Sequence, residues 1–551
     1  MVWSRYAGYP GGLDAASKAL GLPEDKAKMA EGKKLIQFFC KPFKGLRRDP
    51  SKYPERWELF KTYNRRDVEA EMEIRKIIGS RVDFPRREQT LWEIDQKIND
   101  QGILIDEQMA KQAIQMANRQ KEKLVAEAVA ITRLENPNSV QQLKDWLGLD
   151  EEQTLRKKDV AEMLGTVTDD QQKRVLQIRQ ELGKSSVKKY DAMVRSACPD
   201  GRVRGSLQFY GAGRTGRWAG RLIQPQNYPQ NHIGDGSMRD LEYARKLVKE
   251  GDDDGIELLF GSVNDTLSQL TRTALIPSPG NRFVVADFNA IEARVAAWIA
   301  GEKWVLDAFA AGKDIYCETA SRMFHVKVEK HGENGHLRQR GKQALLSCQY
   351  GGATGALIAM GAVQAGMKEE ELPELVERWR EANPNIVNLW YTLGDACLKA
   401  VKGEDNYIRI RNLGVVRCEN EMLMIGLPSG RDLYYVKPTL GLNRFGGESV
   451  TYMGINLGKW SRLESFPGKW LENATQAIAR DCLCTVLHRL SKRFGVYPVT
   501  SIHDEVVLEA PEAEAEETLQ KVLAIMAEPI PWAPGLTLKG AGYTAPWYYK
   551  D

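Results

Sequence analysis

The chain has 551 residues, 42% apolar and 28% charged, enough for buried cores and about three or four domains. No apolar run approaches the roughly 18 residues of a membrane helix, and the opening Met1-Val2-Trp3-Ser4-Arg5 lacks a signal-peptide core, so neither membrane insertion nor secretion is expected. A net charge of +4 gives no global basic field, and eight scattered Cys without a Cys-x-x-Cys pair predict reduced, structural thiols in a cytoplasmic protein.

In chain order, residues 13–22 predict a short helix ended by Gly21, and residues 56–78 a longer one ending near Gly79. Tyr63 and Asp67 share a face of the second helix, a pairing that alone reads as structural. Residues 86–200 are rich in helix formers. Helical periodicity covers 88–100 and 106–134, Asn136-Pro137-Asn138 breaks it, and Ser139 is placed to cap a helix over 140–147. A further helix is predicted over 168–182, followed by a basic turn at 183–190. This region reads either as a projecting helical domain with basic tips or as a plain helical bundle.

From Gly201 to Gly234 there is no acidic residue but there are five arginines, Arg202, Arg204, Arg214, Arg217 and Arg221, interleaved with glycines and aromatics. That composition suits a phosphate-lined groove or a solvated loop. Its centre, Gly213-Arg214-Thr215-Gly216-Arg217, leads to Gln224-Pro225-Gln226-Asn227 and lacks the spacing of a nucleotide-binding P-loop. A helix carrying Arg272 is predicted over 264–275.

Arg282-Phe283-Val284-Val285-Ala286-Asp287-Phe288 reads as a strand that delivers Asp287 at its end, with Glu292 and Arg294 on the helix that follows. A short helix is predicted over 314–324 and another over 337–350. On the latter, Arg338, Lys342, Leu346 and Tyr350 recur every four residues and drift slowly around one face. Two more helices (369–400), a strand-rich stretch (407–436) and a long helix (470–494) with Asn473 and Gln476 come next. Val499-Thr500-Ser501-Ile502-His503-Asp504-Glu505-Val506-Val507-Leu508 then reads as strand, tight turn, strand, before a last helix over 512–526.

Two strand ends thus deliver Asp287 and Asp504, with a doubly cationic helix between them in sequence. Phosphoryl transfer calls for such parts. Carboxylates hold hard divalent ions that clamp the attacking and leaving oxygens, and cations neutralise the phosphates.

Four stretches in this order resemble family A DNA polymerases, the bacterial DNA polymerase I class, and in particular their bacteriophage members. They are Thr215-Gly216-Arg217 with Gln224-Pro225-Gln226-Asn227, Asp287-Phe288-Asn289-Ala290-Ile291-Glu292-Ala293-Arg294, Arg338-x3-Lys342-x3-Leu346-x3-Tyr350-Gly351, and His503-Asp504-Glu505. The resemblance implies an α+β right-hand fold with an antiparallel-sheet palm (201–304 and 421–551), helical fingers (305–420) and a helical thumb (86–200). Residues 1–85 would be a partial 3′–5′ exonuclease-like segment. It implies primer–template DNA and deoxynucleoside triphosphates as partners, a monomer, and two Mg²⁺ ions with Mn²⁺ as substitute; accessory replication proteins stay open.

Carried over residue by residue, Asp287, Asp504 and the Phe288 carbonyl would hold metal, and Glu505 would support the site. Arg338 would bind the outer phosphates of the nucleotide, and Lys342 the inner ones and the leaving pyrophosphate. Leu346 and Tyr350 would shape the pocket, with Glu292 gating against a ribose 2′-hydroxyl. Arg217, Gln226, Asn227, Arg272, Asn473 and Gln476 would touch template or primer, and His503 would lie near the primer end.

Leu346 stands where relatives often have Phe or Tyr, so altered sugar discrimination is expected. Tyr316 replaces a common His and carries no charge near neutral pH. Tyr63 and Asp67 match the last exonuclease motif, but no Asp-x-Glu precedes them, and one carboxylate cannot assemble a two-metal nuclease. Proofreading by this chain alone is not expected. The rival readings are a single-subunit RNA polymerase, against which Glu292 and Asp504-Glu505 speak, and a catalytically silent DNA-binding protein, against which the retained Asp287, Asp504, Arg338 and Lys342 speak.

Overall fold

The computed structural model describes residues 1–23, 29, 31–184, 187–234, 236–363, 365–443 and 445–550. It is a mixture of helices and antiparallel sheets, as the α+β expectation requires. Helix α1 (Pro54–Gly79) precedes α2 (Arg86–Gln101) and α3 (Glu107–Thr132). Side-chain caps fix the helix starts. Asp106, Ser139 and Asp169 each accept a first-turn N–H at the heads of α3, Val140–Leu147 and Asp170–Leu182.

Two expected elements differ. The basic turn after residue 182 is shorter, because Val187–Ser196 is helical. Tyr190 and Met193, spaced by three, are both wholly buried and draw this stretch into the helix; Ser185 and Ser186 lie outside the described residues. The single helix over 264–275 divides into Val263–Gln269, a 3₁₀ turn Leu270–Ala274 and a strand Leu275–Ile276. Thr271 and Thr273 each donate a hydroxyl back to a carbonyl of the preceding turn, and the chain tightens there.

Strand β1 (Asn281–Phe288) lies between two hydrophobic cores. Val284, Ala286 and Phe288 point into one, Phe283 and Val285 into the other. Helices α4 (Ile291–Ala300), α5 (Ile315–Phe324), α6 (Leu337–Cys348) and α7 (Pro384–Lys402) follow. Helix α6 ends two residues before Tyr350, which stands in the turn ahead of Gly351 (φ 78°). A six-stranded antiparallel sheet then runs from Ile408–Ile410 to Lys459–Glu464 with its strands in sequence order, so position 420 falls inside one continuous sheet.

Helix α8 (Pro467–Phe494) is buried along most of its length. It leads to β2 (Thr500–Ile502), β3 (Glu505–Pro511), α9 (Ala515–Ala527) and β4 (Gly540–Ala545). The second sheet has the order β2–β3–β1–β4, all antiparallel, so the two strands that were predicted far apart in sequence are direct neighbours. No helix among the described residues is long and apolar enough to cross a membrane. All eight cysteines are free thiols.

Candidate active site

The register of the sheet brings the carboxylates together. Glu505 pairs with Asp287 across β3 and β1, and Ile502 pairs with Glu505 across the turn formed by His503 and Asp504. His503 takes the left-handed conformation (φ 57°) that closes so short a turn. The Phe288 N–H points at the Asp504 carbonyl oxygen at 3.4 Å, which seats the turn directly against the end of β1.

One oxygen of Asp287 (Oδ1) and one of Glu505 (Oε1) are buried without a hydrogen-bond partner. Their other oxygens accept from Lys550 Nζ at 3.0 and 3.3 Å. Burial, reinforced by the Asp287 charge, pushes the Asp504 carboxyl up to about 7. Burial likewise pushes Glu505 up to about 7, with Lys550 opposing and Asp287 adding to the rise. Crowded carboxylates with bare buried oxygens form a donor set suited to hard divalent cations. Among the described residues no group of three or more His, Cys, Asp or Glu side chains forms a full metal cage, and Mg²⁺ needs none when substrate phosphates complete its shell.

Two clefts open beside this tip and share Ala290 and Tyr316. One, of about 270 Å³, is lined by Glu292, Leu346, Tyr350 and Asp504. The other, of about 310 Å³, is lined by Arg294, Lys313, Arg338 and Lys539. The first is mainly apolar with a carboxylate at its edge, as a base and sugar require; the second is cationic, as a phosphate chain requires.

The cationic face is set by close packing of α6 on α5. A Cβ on Gly341 would come within 2.3 Å of the Tyr316 carbonyl oxygen, so only glycine allows this approach. It puts Arg338 over the Tyr316 ring at 5.1 Å and Lys342 at 5.9 Å. Asp314 caps α5 and also accepts from Arg338 Nε at 2.8 Å. Arg338 is therefore held by Asp314 through Nε at the mouth of the cationic cleft. Leu346 is 46% exposed in the neighbouring cleft.

Glu292, in the first turn of α4, receives two donors. Tyr350 Oη donates to Oε2 at 2.8 Å and Arg217 Nη2 to Oε1 at 2.5 Å. Burial and the Glu292 charge together raise the Tyr350 phenol well above its ordinary range, so it stays a donor. The arginine loop reaches this point because Arg431 holds it from beneath, donating to the Thr215 carbonyl and the Tyr210 hydroxyl at 2.8 Å each.

The residues expected at the DNA fall into two groups. Gln226 donates to the Ser501 carbonyl at 3.2 Å and, with exposed Asn227 and His503, sits near the hairpin turn; Gln476 is half-buried on α8. Arg272 and Asn473, by contrast, are turned inward and braced within the protein. Arg272 is 5% exposed and spends its donors on the Pro229 and Tyr228 carbonyls and the Tyr548 hydroxyl. Asn473 is 3% exposed and donates to the Tyr435 hydroxyl at 3.0 Å. Lys313, Lys539 and Lys550 are site cations that sequence reasoning missed; each is a lone lysine outside any motif.

Residues 107–422 match the family model described as DNA polymerase family A. The chain is 48% identical over 558 aligned positions to the DNA polymerase of Bacillus phage SP02, covering 99% of this chain and 84% of that protein. It is 26% identical over 267 positions to the thermostable DNA polymerase I of Thermus thermophilus, covering 48% of this chain but 27% of that larger protein. The POL domain of Pol1 from M. smegmatis, solved in complex with DNA primer-template and dNTP, superposes with a TM-score of 0.59 at 17% identity, across 99% of this chain and 80% of that one. The fold is the right-hand polymerase fold, and the chain belongs to DNA polymerase family A.

Proposed function

We propose that this DNA polymerase adds deoxynucleotides to a primer 3′-hydroxyl, directed by a template, with Asp287, Asp504 and the Phe288 carbonyl as metal ligands and Glu505 as their support. The observation that carries the reading is the convergence of Asp287 and Asp504 at one sheet end, beside a cleft bearing Arg338 and another closed by Glu292 and Tyr350. Two Mg²⁺ ions bound there, or Mn²⁺ in their place, would activate the 3′-oxygen and stabilise charge on the transferred phosphoryl group. In this reading Arg338 and Lys342 hold the phosphates, and Lys342 protonates the leaving pyrophosphate. By the same reading Glu292 is the gate against a ribose 2′-hydroxyl, and Leu346 sets the width of the base-and-sugar cleft. Arg217, Gln226, Asn227, Gln476 and His503 face primer and template, while Arg272 and Asn473 brace that surface from behind.

In this reading residues 86–200 are the thumb, 201–304 and 421–551 the palm, and 305–420 the fingers, with the last boundary at a turn within the six-stranded sheet, which the two regions then share. The chain works as a monomer in the cytoplasm of a bacterium or phage-infected host, in keeping with its free thiols and its phage relative. Residues 1–85 do not by themselves supply a proofreading site: Tyr63 and Asp67 match the last exonuclease motif, and one carboxylate cannot assemble a two-metal nuclease. A mismatched primer incubated with Mg²⁺ should lose no 3′ nucleotide; its excision would overturn that part.

Primer extension on a defined template tests the core of the proposal. Asp287→Ala and Asp504→Ala should each lower the extension rate about 10³-fold or more while DNA binding persists. Extension by either variant at the wild-type rate would show that the site is misassigned.

A further inference from the structure

The carboxylate tip already contains a cation, and the chain end supplies it. Lys550 Nζ lies 3.0 Å from Asp287 Oδ2 and 3.3 Å from Glu505 Oε2. Its backbone is held in place: Asn231 N–H donates to the Lys550 carbonyl at 3.1 Å, and Lys550 N–H donates to Asn231 Oδ1 at 3.0 Å. Asn231 is itself 2% exposed and tied to the Gln269 carbonyl at 2.6 Å. Two residues earlier, Tyr548 is fully buried and its N–H donates to the Leu275 carbonyl at 3.0 Å. The tail is therefore anchored at Tyr548 and at Lys550 itself, which marks the lysine as placed rather than adventitious.

A single ammonium faces the carboxyl groups of Asp287, Glu505 and, one residue away, Asp504. It satisfies one oxygen of Asp287 and one of Glu505, and leaves the buried second oxygen of each bare. We propose that Lys550 is the resident cation of this tip, occupying Asp287 Oδ2 when no divalent ion is bound and setting metal affinity by competing for that oxygen. This rests on the reading of Asp287 and Asp504 as metal ligands. When a divalent ion is held by Asp287, the ammonium falls back on Glu505, which explains why a carboxylate that stands behind the ligands is kept 2% exposed. Lys550 acts through Asp287 and Glu505 and is a positioning residue.

The test is Mn²⁺ binding to the full chain without DNA or nucleotide, followed by electron paramagnetic resonance. Replacing the ammonium by a neutral chain removes one positive charge within about 3–4 Å of the ion's ligand, so Lys550→Met should bind Mn²⁺ about tenfold more tightly or better. Lys550→Arg should bind it as the wild type does. In EDTA, Lys550→Met should melt below the wild type, and saturating Mn²⁺ should close that gap. Should Lys550→Met disturb folding, Lys550→Gln, also uncharged, repeats the comparison. Unchanged or weaker Mn²⁺ binding in the uncharged variants overturns the inference while leaving the metal site standing. If Asp504→Ala leaves the wild-type Mn²⁺ isotherm unaltered, the metal-ligand reading itself falls, and the inference with it.

Discussion

Glu292 holds two donors from separate segments, Tyr350 in the turn after α6 and Arg217 in the arginine loop. Its carboxylate is thus fixed in direction by charge-assisted bonds, which suits the proposed rejection of a ribose 2′-hydroxyl. Glu292→Ala leaves both donors without their acceptor and opens space on the sugar side. The preference for deoxy- over ribonucleotides, measured as a ratio of kcat/KM values, should fall by about 10²-fold or more. Tyr350→Phe keeps the ring and the carboxylate and loses one hydrogen bond of about 1 kcal/mol, so the same ratio should move only about fivefold. An undiminished preference in Glu292→Ala would remove this residue from the gate. Spacing put Tyr350 in one row with Arg338 and Lys342, but the meeting of Glu292 with Tyr350 was legible only through the family resemblance. The tie of Arg217 to Glu292 was not legible at all, because an arginine among glycines gives no indication of which anion it will meet.

At the scale of elements, a buried ionic hub joins four distant segments. Arg431 donates to Asp481 at 2.8 Å, and Arg480 donates to both Asp481 at 3.2 Å and Glu88 at 2.7 Å. Arg431, Arg480, Asp481 and Glu88 are each under 5% exposed and link the loop after residue 426, α8 and α2 to the arginine loop. Burial alone would push the Asp481 carboxyl up, but Arg431 and Arg480 outweigh it and hold the group below the usual carboxylate range. A folded-state pKa below the unfolded one stabilises the fold above the unfolded value, about 3.9, and that stabilisation is lost as the pH falls through the folded value. Asp481→Asn should therefore destabilise the protein by about 3–5 kcal/mol at neutral pH, since Arg431 stays buried without its carboxylate while Arg480 keeps only Glu88. The difference from wild type, followed by urea unfolding, should shrink as the pH drops below about 4. A constant difference across that range would contradict the assignment. None of this hub shows in the sequence, where Glu88 and Arg480 are 392 residues apart and each reads as an ordinary helix charge.

Across the whole molecule, what could be read in advance were elements with a strong period or a sharp stop: α3, α8, the strand ending in Asp287 and the hairpin carrying Asp504. Strands with polar residues on both faces, such as Lys459–Glu464, gave no such period, and their place is set by pairing with neighbours. The first 85 residues, read as one segment, divide physically. Tyr6 is 2% exposed and packs against Tyr210 and Tyr434 at 5.5 and 5.6 Å, inside the same core as β1 and α8. Phe39, 5% exposed, belongs to a separate small cluster with Leu35, Trp57, Phe60 and Tyr63. The two aromatic residues lie 33 positions apart yet should fail differently. Tyr6→Ala opens a cavity against the ring that Arg431 bonds, and should cost about 3–5 kcal/mol of the polymerase core. Its primer-extension activity should decay sooner on heating. Phe39→Ala costs a similar local amount but empties only the small cluster, so near-ultraviolet dichroism should change while the half-life of primer extension at elevated temperature stays that of wild type. Equal loss of half-life in both variants would mean that the N-terminal segment unfolds with the polymerase as one cooperative unit.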